Sequence, residues 1–273
     1  MNILDDHMHL DPRGEREVAI QRFVKAGGTH LVLVNKPYDD VEVGNFEKEY
    51  ELTLSLAERA RGAGAKVFVA LGPHPVELAI MTEKVGLPSA LEKMRRGFDL
   101  AFQHVLAGRA VCIGEVGRPH FKVSKEVWET SNSLLFDAFS RAKDVGCAMV
   151  LHTEHATPEV FQELAEMAKK AGMPTDRVVK HYSSPLILPE ENHGLMPSII
   201  ASRPNIKSAL AKGDRFMMET DYIDDPDRKD AVLPPDSVPL RTKAFLKGGI
   251  MSEVQAYRIH VDNPRRAYGV DIA

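Results

Sequence analysis

The 273-residue chain has only two cysteines, Cys112 and Cys147, too few for a disulfide framework. Each sits in an apolar stretch and reads as a reduced core residue. The first residues, Met1-Asn2-Ile3-Leu4-Asp5-Asp6, carry two acids where a secretory leader needs a basic start and an apolar core. No uncharged apolar run approaches the ~18 residues of a membrane span. Basic excess is also missing: Lys+Arg 35 against Asp+Glu 39 gives a formal charge of -4. Nothing global therefore advertises nucleic acid or an acidic membrane surface. No glycine-rich phosphate fingerprint follows the first apolar run, whose exit is His7-Met8-His9-Leu10-Asp11-Pro12. That counts against an open-sheet enzyme built around a nucleotide. These absences lead us to expect a cytoplasmic protein with no membrane partner.

What is present is an ordinary globular composition, 44% hydrophobic and 27% charged, arranged as a long alternation. Short apolar runs at 2–9, 30–35, 66–72, 110–116, 148–152, 177–181, 196–201 and 215–221 predict eight strands. Several are apolar at nearly every position, as parallel strands covered on both faces tend to be. Helical periodicity separates them at 15–26, 46–62, 88–106, 125–145, 157–172, 205–212 and 252–262. Thr157-Pro158 opens one of these helices as a cap followed by proline at the first helical position. The pattern predicts an α/β fold, a single (β/α)8 TIM barrel over residues 1–273, with an open doubly wound sheet as the fallback. The proline-rich stretch 224–238, holding Pro226, Pro234 and Pro235, would be a loop at the barrel's C-terminal face, where such loops carry function.

Chemistry concentrates at the predicted strand ends. His7 and His9 lie two apart, so period two puts both imidazoles on one face, within reach of one ion. As a string this pair is weak evidence, since chance placement of 11 histidines yields about 0.4 such pairs per chain. Glu115, His152 and His181 then close three more apolar strands, and Glu219 and Asp221 close the last. A lone strand-end histidine is more often a hydrogen-bonded rim residue, and a lone acid a cap or ion-pair partner. Six N/O ligands at the same end of five strands, His7, His9, Glu115, His152, His181 and Asp221, point instead to a metal site. His74, Arg118, His120, Glu154, His155, Tyr182 and Glu219 form a second ring of residues for substrate or for orienting the ligands. His30, His104 and His260 lack a ligand partner at metal-site spacing and read as structural or surface residues.

The sequence resembles the TatD-type metal-dependent hydrolases of the amidohydrolase superfamily. The resemblance is carried by Asp5-Asp6-His7-Met8-His9-Leu10-Asp11, Leu71-Gly72-Pro73-His74-Pro75, Ile113-Gly114-Glu115-Val116-Gly117, Leu151-His152, His181 and Glu219-Thr220-Asp221. The terminal Asn263-Pro264-Arg265-Arg266-Ala267-Tyr268-Gly269 belongs to it too, and the pieces follow the family's order over nearly the whole chain. It implies a barrel holding one or two divalent ions, with His7, His9 and Asp221 on one, His152 and His181 on the other, and Glu115 as the bridge. Other positions differ from the family pattern. Thr153-Glu154-His155 follows His152 where an arginine is frequent, Tyr182-Ser183-Ser184-Pro185 replaces Cys-Phe-Ser-Gly, and Arg118-Pro119-His120 stands where Leu-Asp is common.

The expected function is divalent-metal-dependent hydrolysis, with metal-activated water attacking a phosphoester, a nucleic-acid end among the candidates. The alternative within that class is an amidohydrolase or lactonase acting on a small carbonyl substrate. Asp221 is the expected catalytic proton acceptor, since a carboxylate beside a metal stays ionised. Imidazole and carboxylate donors suit Zn, Mn, Mg, Ni, Co or Fe. A nuclease should show a basic stripe, yet Arg118, Lys122, Arg228 and Lys229 are interleaved with Glu154, Asp224, Asp225 and Asp227. A non-enzymatic barrel using its histidines for storage is a further class, distinguished by a lack of bound metal.

Overall fold

The computed structural model describes residues 1–228 and 232–272. Nine strands run in chain order: β1 (Leu4–His9), β2 (His30–Val34), β3 (Lys66–Leu71), β4 (Cys112–Gly117) and β5 (Ala148–His152). They continue as β6 (Val178–Ser183), β7 (Met196–Ile200), β8 (Met217–Glu219) and β9 (Tyr222–Ile223). Every described pairing is parallel, in the order β8-β7-β6-β5-β4-β3-β2-β1-β9. β8 and β9 are two pieces of one stretch of chain, the first paired with β7 and the second with β1. The sheet therefore curls back on itself as a TIM-barrel-like fold.

The closing strand differs from the continuous 215–221 predicted from sequence, and the reason is local. Asp5 accepts hydrogen bonds from the Thr220 amide (3.0 Å) and hydroxyl (2.7 Å), so this amide is taken by a side chain. Asp221 then adopts φ 49°, a left-handed conformation that Asp tolerates better than most residues. Its amide still reaches the His7 carbonyl at 3.0 Å, keeping the seam with β1 closed.

Period two divides the sheet residues between two cores. Leu31, Leu33, Met149 and Leu151 pack outward against helices, whereas Val32, Val34, Ala148 and Val150 pack inside with Cys112, Val179 and Met196. The helices are α1 (Glu17–Ala26), α2 (Phe46–Gly62), α3 (Pro75–Val85), α4 (Leu87–Leu106), α5 (Lys125–Val145) and α6 (Pro158–Lys170). After them come α7 (Pro189–Asn192), α8 (Arg203–Leu210), α9 (Ser237–Lys247), α10 (Glu253–Tyr257) and α11 (Asn263–Tyr268). Four of these, α3, α9 and the short α7 and α11, lie outside the helical segments expected from sequence. α3 carries apolar residues on most sides, so no amphipathic stripe announces it, and Gly86 (φ 81°) separates it from α4. α9 rises from the proline-rich stretch because Pro239 lies in its first turn, where no backbone donor is needed. The expected 252–262 helix is α10 followed by a π turn over Arg258–Asp262.

Cys112 and Cys147 are buried and unpaired. His260 is fully buried between Thr242 Oγ1 (2.9 Å) and the Leu4 carbonyl (3.1 Å), a packing role. His30 contacts Thr29 Oγ1 at 2.8 Å, and His104 lies edge-on to Tyr50. No described helix is long and apolar enough to cross a membrane.

Candidate metal centre

Two register irregularities in the sheet decide which side chains of β1 and β4 enter the barrel mouth. In β1 the pairing shifts between Asp5 and Met8, so Leu4 packs inside but Met8 packs outside. The shift changes parity and carries His7 and His9 to the inner side. β4 repeats the device between Ile113 and Val116, which both pack outward although three apart, and Glu115 is turned inward. Gly117 (φ 141°) follows; a Cβ there would meet the His152 carbonyl, which instead accepts the Arg118 amide at 2.9 Å. His152 and His181 need no device before them, since they share the parity of inward Val150 and Val179.

Glu115 lies at the middle. Its Oε1 is 2.9 Å from His181 Nε2, 3.0 Å from His152 Nδ1 and 3.5 Å from His7 Nε2. Its Oε2 is 3.7 Å from His9 Nε2 and 3.6 Å from His74 Nε2. Asp221 Oδ1 stands 3.5 Å from His9 Nε2 and 3.9 Å from His7 Nε2. All six expected ligands thus meet in one place. Within each of two sets, His7–Glu115–His181 and His7–His9–Asp221, the donor atoms lie within 4.8 Å of one another.

The chemistry of the donors fits a divalent cation. The His9 Nδ1–H donates to the Val34 carbonyl at 2.9 Å, which leaves a lone pair on Nε2, 3.1 Å from His7 Nε2. His7 Nδ1 is buried with no partner among the described residues. Burial, then the neighbouring His181, drives His7 well below the usual imidazole range, so it stays neutral and able to donate electrons. Burial opposes ionisation of Glu115, but the surrounding imidazoles, His181 first, hold it well below the usual carboxylate range. Ring nitrogens converging on a buried carboxylate that has no lysine or arginine partner among the described residues are what a metal site requires.

A profile described as TatD related DNase matches residues 4–269. The chain belongs to the TatD-related DNase family. An uncharacterized protein of Methanocaldococcus jannaschii is 37% identical, with 99% of this chain and 96% of that protein covered. Among solved structures, a TatD homolog from Escherichia coli K12 matches with TM-score 0.67 and 23% identity, covering 98% of each chain. A phosphotriesterase homology protein from Escherichia coli, complexed with phosphate in its active site, matches with TM-score 0.66 and 14% identity, again over 98% of each. This TatD-family protein is a metal-dependent hydrolase.

Around the six, the second ring divides. Glu219, fully buried, places Oε1 3.3 Å from His181 Nδ1 and accepts the Tyr182 amide at 2.7 Å, fixing the ring from behind. His74 caps α3: its Nδ1 accepts the Val76 amide at 3.1 Å, just before Pro75 at the first helical position. Burial, then His152, keeps His74 neutral, so the proton must sit on Nε2, facing Glu115. His74 is therefore a donor into the site although its ring lies at ligand distance. His120 Nδ1 touches His152 Nε2 at 2.7 Å, and His155 Nε2 contacts Ser184 Oγ at 3.3 Å. Tyr182 (φ 52°) stands exposed at the rim.

Among the described residues, Arg118 and Glu154 pair with each other rather than with a metal-site histidine. Arg118 is buried, binds Glu154 (3.2 Å) and Glu163 (3.0 Å) through Nη1, and lies over the Trp128 ring. Its guanidinium serves the α5–α6 side, and its pairing explains why Glu154 never reaches His152. Sequence reasoning passed over Lys180, a buried lysine that lines the same cleft, whose volume is about 710 Å³. A charged residue inside an apolar strand was the available signal. Lys229 lies outside the described residues.

Proposed function

We propose that this hydrolase cleaves a phosphoester bond in a small substrate or at a nucleic-acid end. The observation that carries it is the convergence of His7, His9, His152 and His181 on Glu115, with Asp221 beside His7 and His9. Divalent ions held there would lower the pKa of a water toward about 7 and draw charge from the oxygen under attack.

The chain's own residues do the rest. Asp221 lines the cleft at the edge of the donor sets, placed to hold the attacking water at Oδ and take its proton. His74 Nε2–H offers a neutral donor to the oxygen that gains negative charge. Glu219 keeps the His181 ring from turning. Fold-level support for a phosphorus centre comes from the phosphotriesterase homology protein and its bound phosphate.

The rim sets Lys36 and Arg228 among Asp39, Asp225 and Glu154, which is no basic stripe for a duplex and favours a small substrate or strand end. That mixed charge also supports a second reading, opening of a lactone or cyclic amide. The test is a screen of phosphodiesters, phosphomonoesters, lactones and cyclic amides with Zn²⁺ or Mn²⁺, on wild type and Asp221→Asn. Phosphoester turnover should fall by about 10²–10⁴ in the variant, with its bound metal retained. Turnover confined to lactones or amides would establish the second reading, and full activity in metal-loaded Asp221→Asn would remove that residue's role.

A further inference from the structure

Lys180 belongs to β6 and has the parity of outward Val178, so its stem starts among the residues behind the sheet. The residue is only 1% exposed, yet it lines the cleft beside Thr153, Glu154 and His155. Its Nζ donates to the His181 carbonyl at 2.6 Å, the one hydrogen bond it makes among the described residues. An ammonium has three donors, so two are left over. No described carboxylate forms an ion pair with it. Of the acids in its neighbourhood, Glu154 binds Arg118 at 3.2 Å and Glu219 holds His181 and the Tyr182 amide, each through Oε1, and neither forms an ion pair with Lys180. A buried ammonium with a single neutral partner is costly unless something else completes its shell.

We propose that Lys180 is a specificity residue that receives an anionic group of the substrate, a phosphate or carboxylate separate from the scissile bond. The inference rests on the hydrolase reading of the cleft and adds a substrate class to it: molecules carrying a second, non-reacting oxyanion. Such a group would take the two spare N–H donors as charge-assisted hydrogen bonds. Arg118 has a supporting part, since by holding Glu154 it keeps a nearby acid from competing for the ammonium. The replacement of neutral by charged ligand groups is discriminating because a buried charge left unpaired disfavours the analogue that lacks the partner.

The experiment measures equilibrium binding to metal-loaded protein for matched ligands: thymidine 3′,5′-bisphosphate against thymidine 5′-monophosphate, and glutarate against butyrate. Wild type should bind the ligand with the extra anion at least about tenfold more tightly in one of the pairs, and that pair identifies phosphate or carboxylate. Lys180→Met should lose this gain and Lys180→Arg should keep part of it, with metal content by mass spectrometry unchanged in both. Lys180→Gln supplies the same comparison if methionine disturbs packing. A gain that survives in Lys180→Met and Lys180→Gln, or no gain in either pair for wild type, overturns the proposal. Absence of hydrolysis in the wild type would count against the phosphoester reading alone, because the binding comparison does not need turnover.

Discussion

His74 does two jobs through its two ring nitrogens, and they can be separated by mutation. Nδ1 accepts the Val76 amide at 3.1 Å as the cap of α3, which obliges the neutral ring to carry its proton on Nε2, 3.6 Å from Glu115 Oε2. Asparagine is among the best helix caps but cannot extend a donor to the position of Nε2; alanine supplies neither. His74→Asn should therefore leave stability within about 0.5 kcal/mol of wild type, whereas His74→Ala should cost about 1 kcal/mol for the lost cap. Both should lower kcat by about 10²–10³, the effect of removing one preorganised donor to a developing oxyanion, equivalent to about 2.7–4 kcal/mol. Urea denaturation supplies the first quantity and steady-state kinetics the second. Metal content is the decisive control, since a protonated nitrogen cannot ligate. If His74→Asn binds one metal equivalent fewer than wild type, the ring is a ligand and the tautomer derived from the cap is wrong. If kcat is unchanged, Nε2–H does not face the reacting oxygen.

Two further expectations test the scaffold. Thr220→Val removes the hydroxyl that donates to buried Asp5 Oδ2 (2.7 Å) and accepts the half-buried Tyr222 amide (3.2 Å), so both lose that partner. It should cost about 2–5 kcal/mol in chemical denaturation, against about 1 kcal/mol for Thr220→Ser, which keeps both bonds and loses a methyl. Equal costs for the two would show that the hydroxyl does not close the barrel. Burial lowers His260 from 6.5 to about 4, so below pH 6.5 the unfolded chain binds a proton that the folded chain refuses. Its contribution to stability is complete above pH 6.5 and is lost as the pH falls through about 4, a total of about 3 kcal/mol. The stability of His260→Gln should fall less steeply over that interval; an unchanged slope would place the acid sensitivity elsewhere.

The barrel was legible because parallel strands write themselves as continuous apolar runs, and the alternation with helices repeats until the ring is complete. What escaped was hidden by competing signals. α3 is apolar on most sides, so its burial erases the periodicity by which a helix is recognised. α9 begins beside prolines that usually mark loops. The final strand looked continuous since nothing in Glu219-Thr220-Asp221 shows that Asp5, more than two hundred residues earlier, takes the Thr220 amide.

The site was legible by a different route, and the distinction matters for how such sequences should be read. Strand-end placement nominated the ligands, but simple alternation along β1 and β4, counted from inward Leu4 and Cys112, would have directed His7, His9 and Glu115 outward and Met8 and Val116 inward, the reverse of what is found. They reach the mouth because each strand slips by one residue just before them. The slip reverses parity where the metal donors are needed while the apolar residues below keep the barrel packed. His152 and His181 arrive by uninterrupted alternation, and β6 shifts its register only beyond Lys180. Lys180 is consequently left on the outer parity, from which only a long side chain can bring a charge back over the sheet edge to the cleft. Ligand type and position can be read from the sequence, but which face a strand-end residue occupies depends on the register of its neighbours, and that is set by partners far away in the chain.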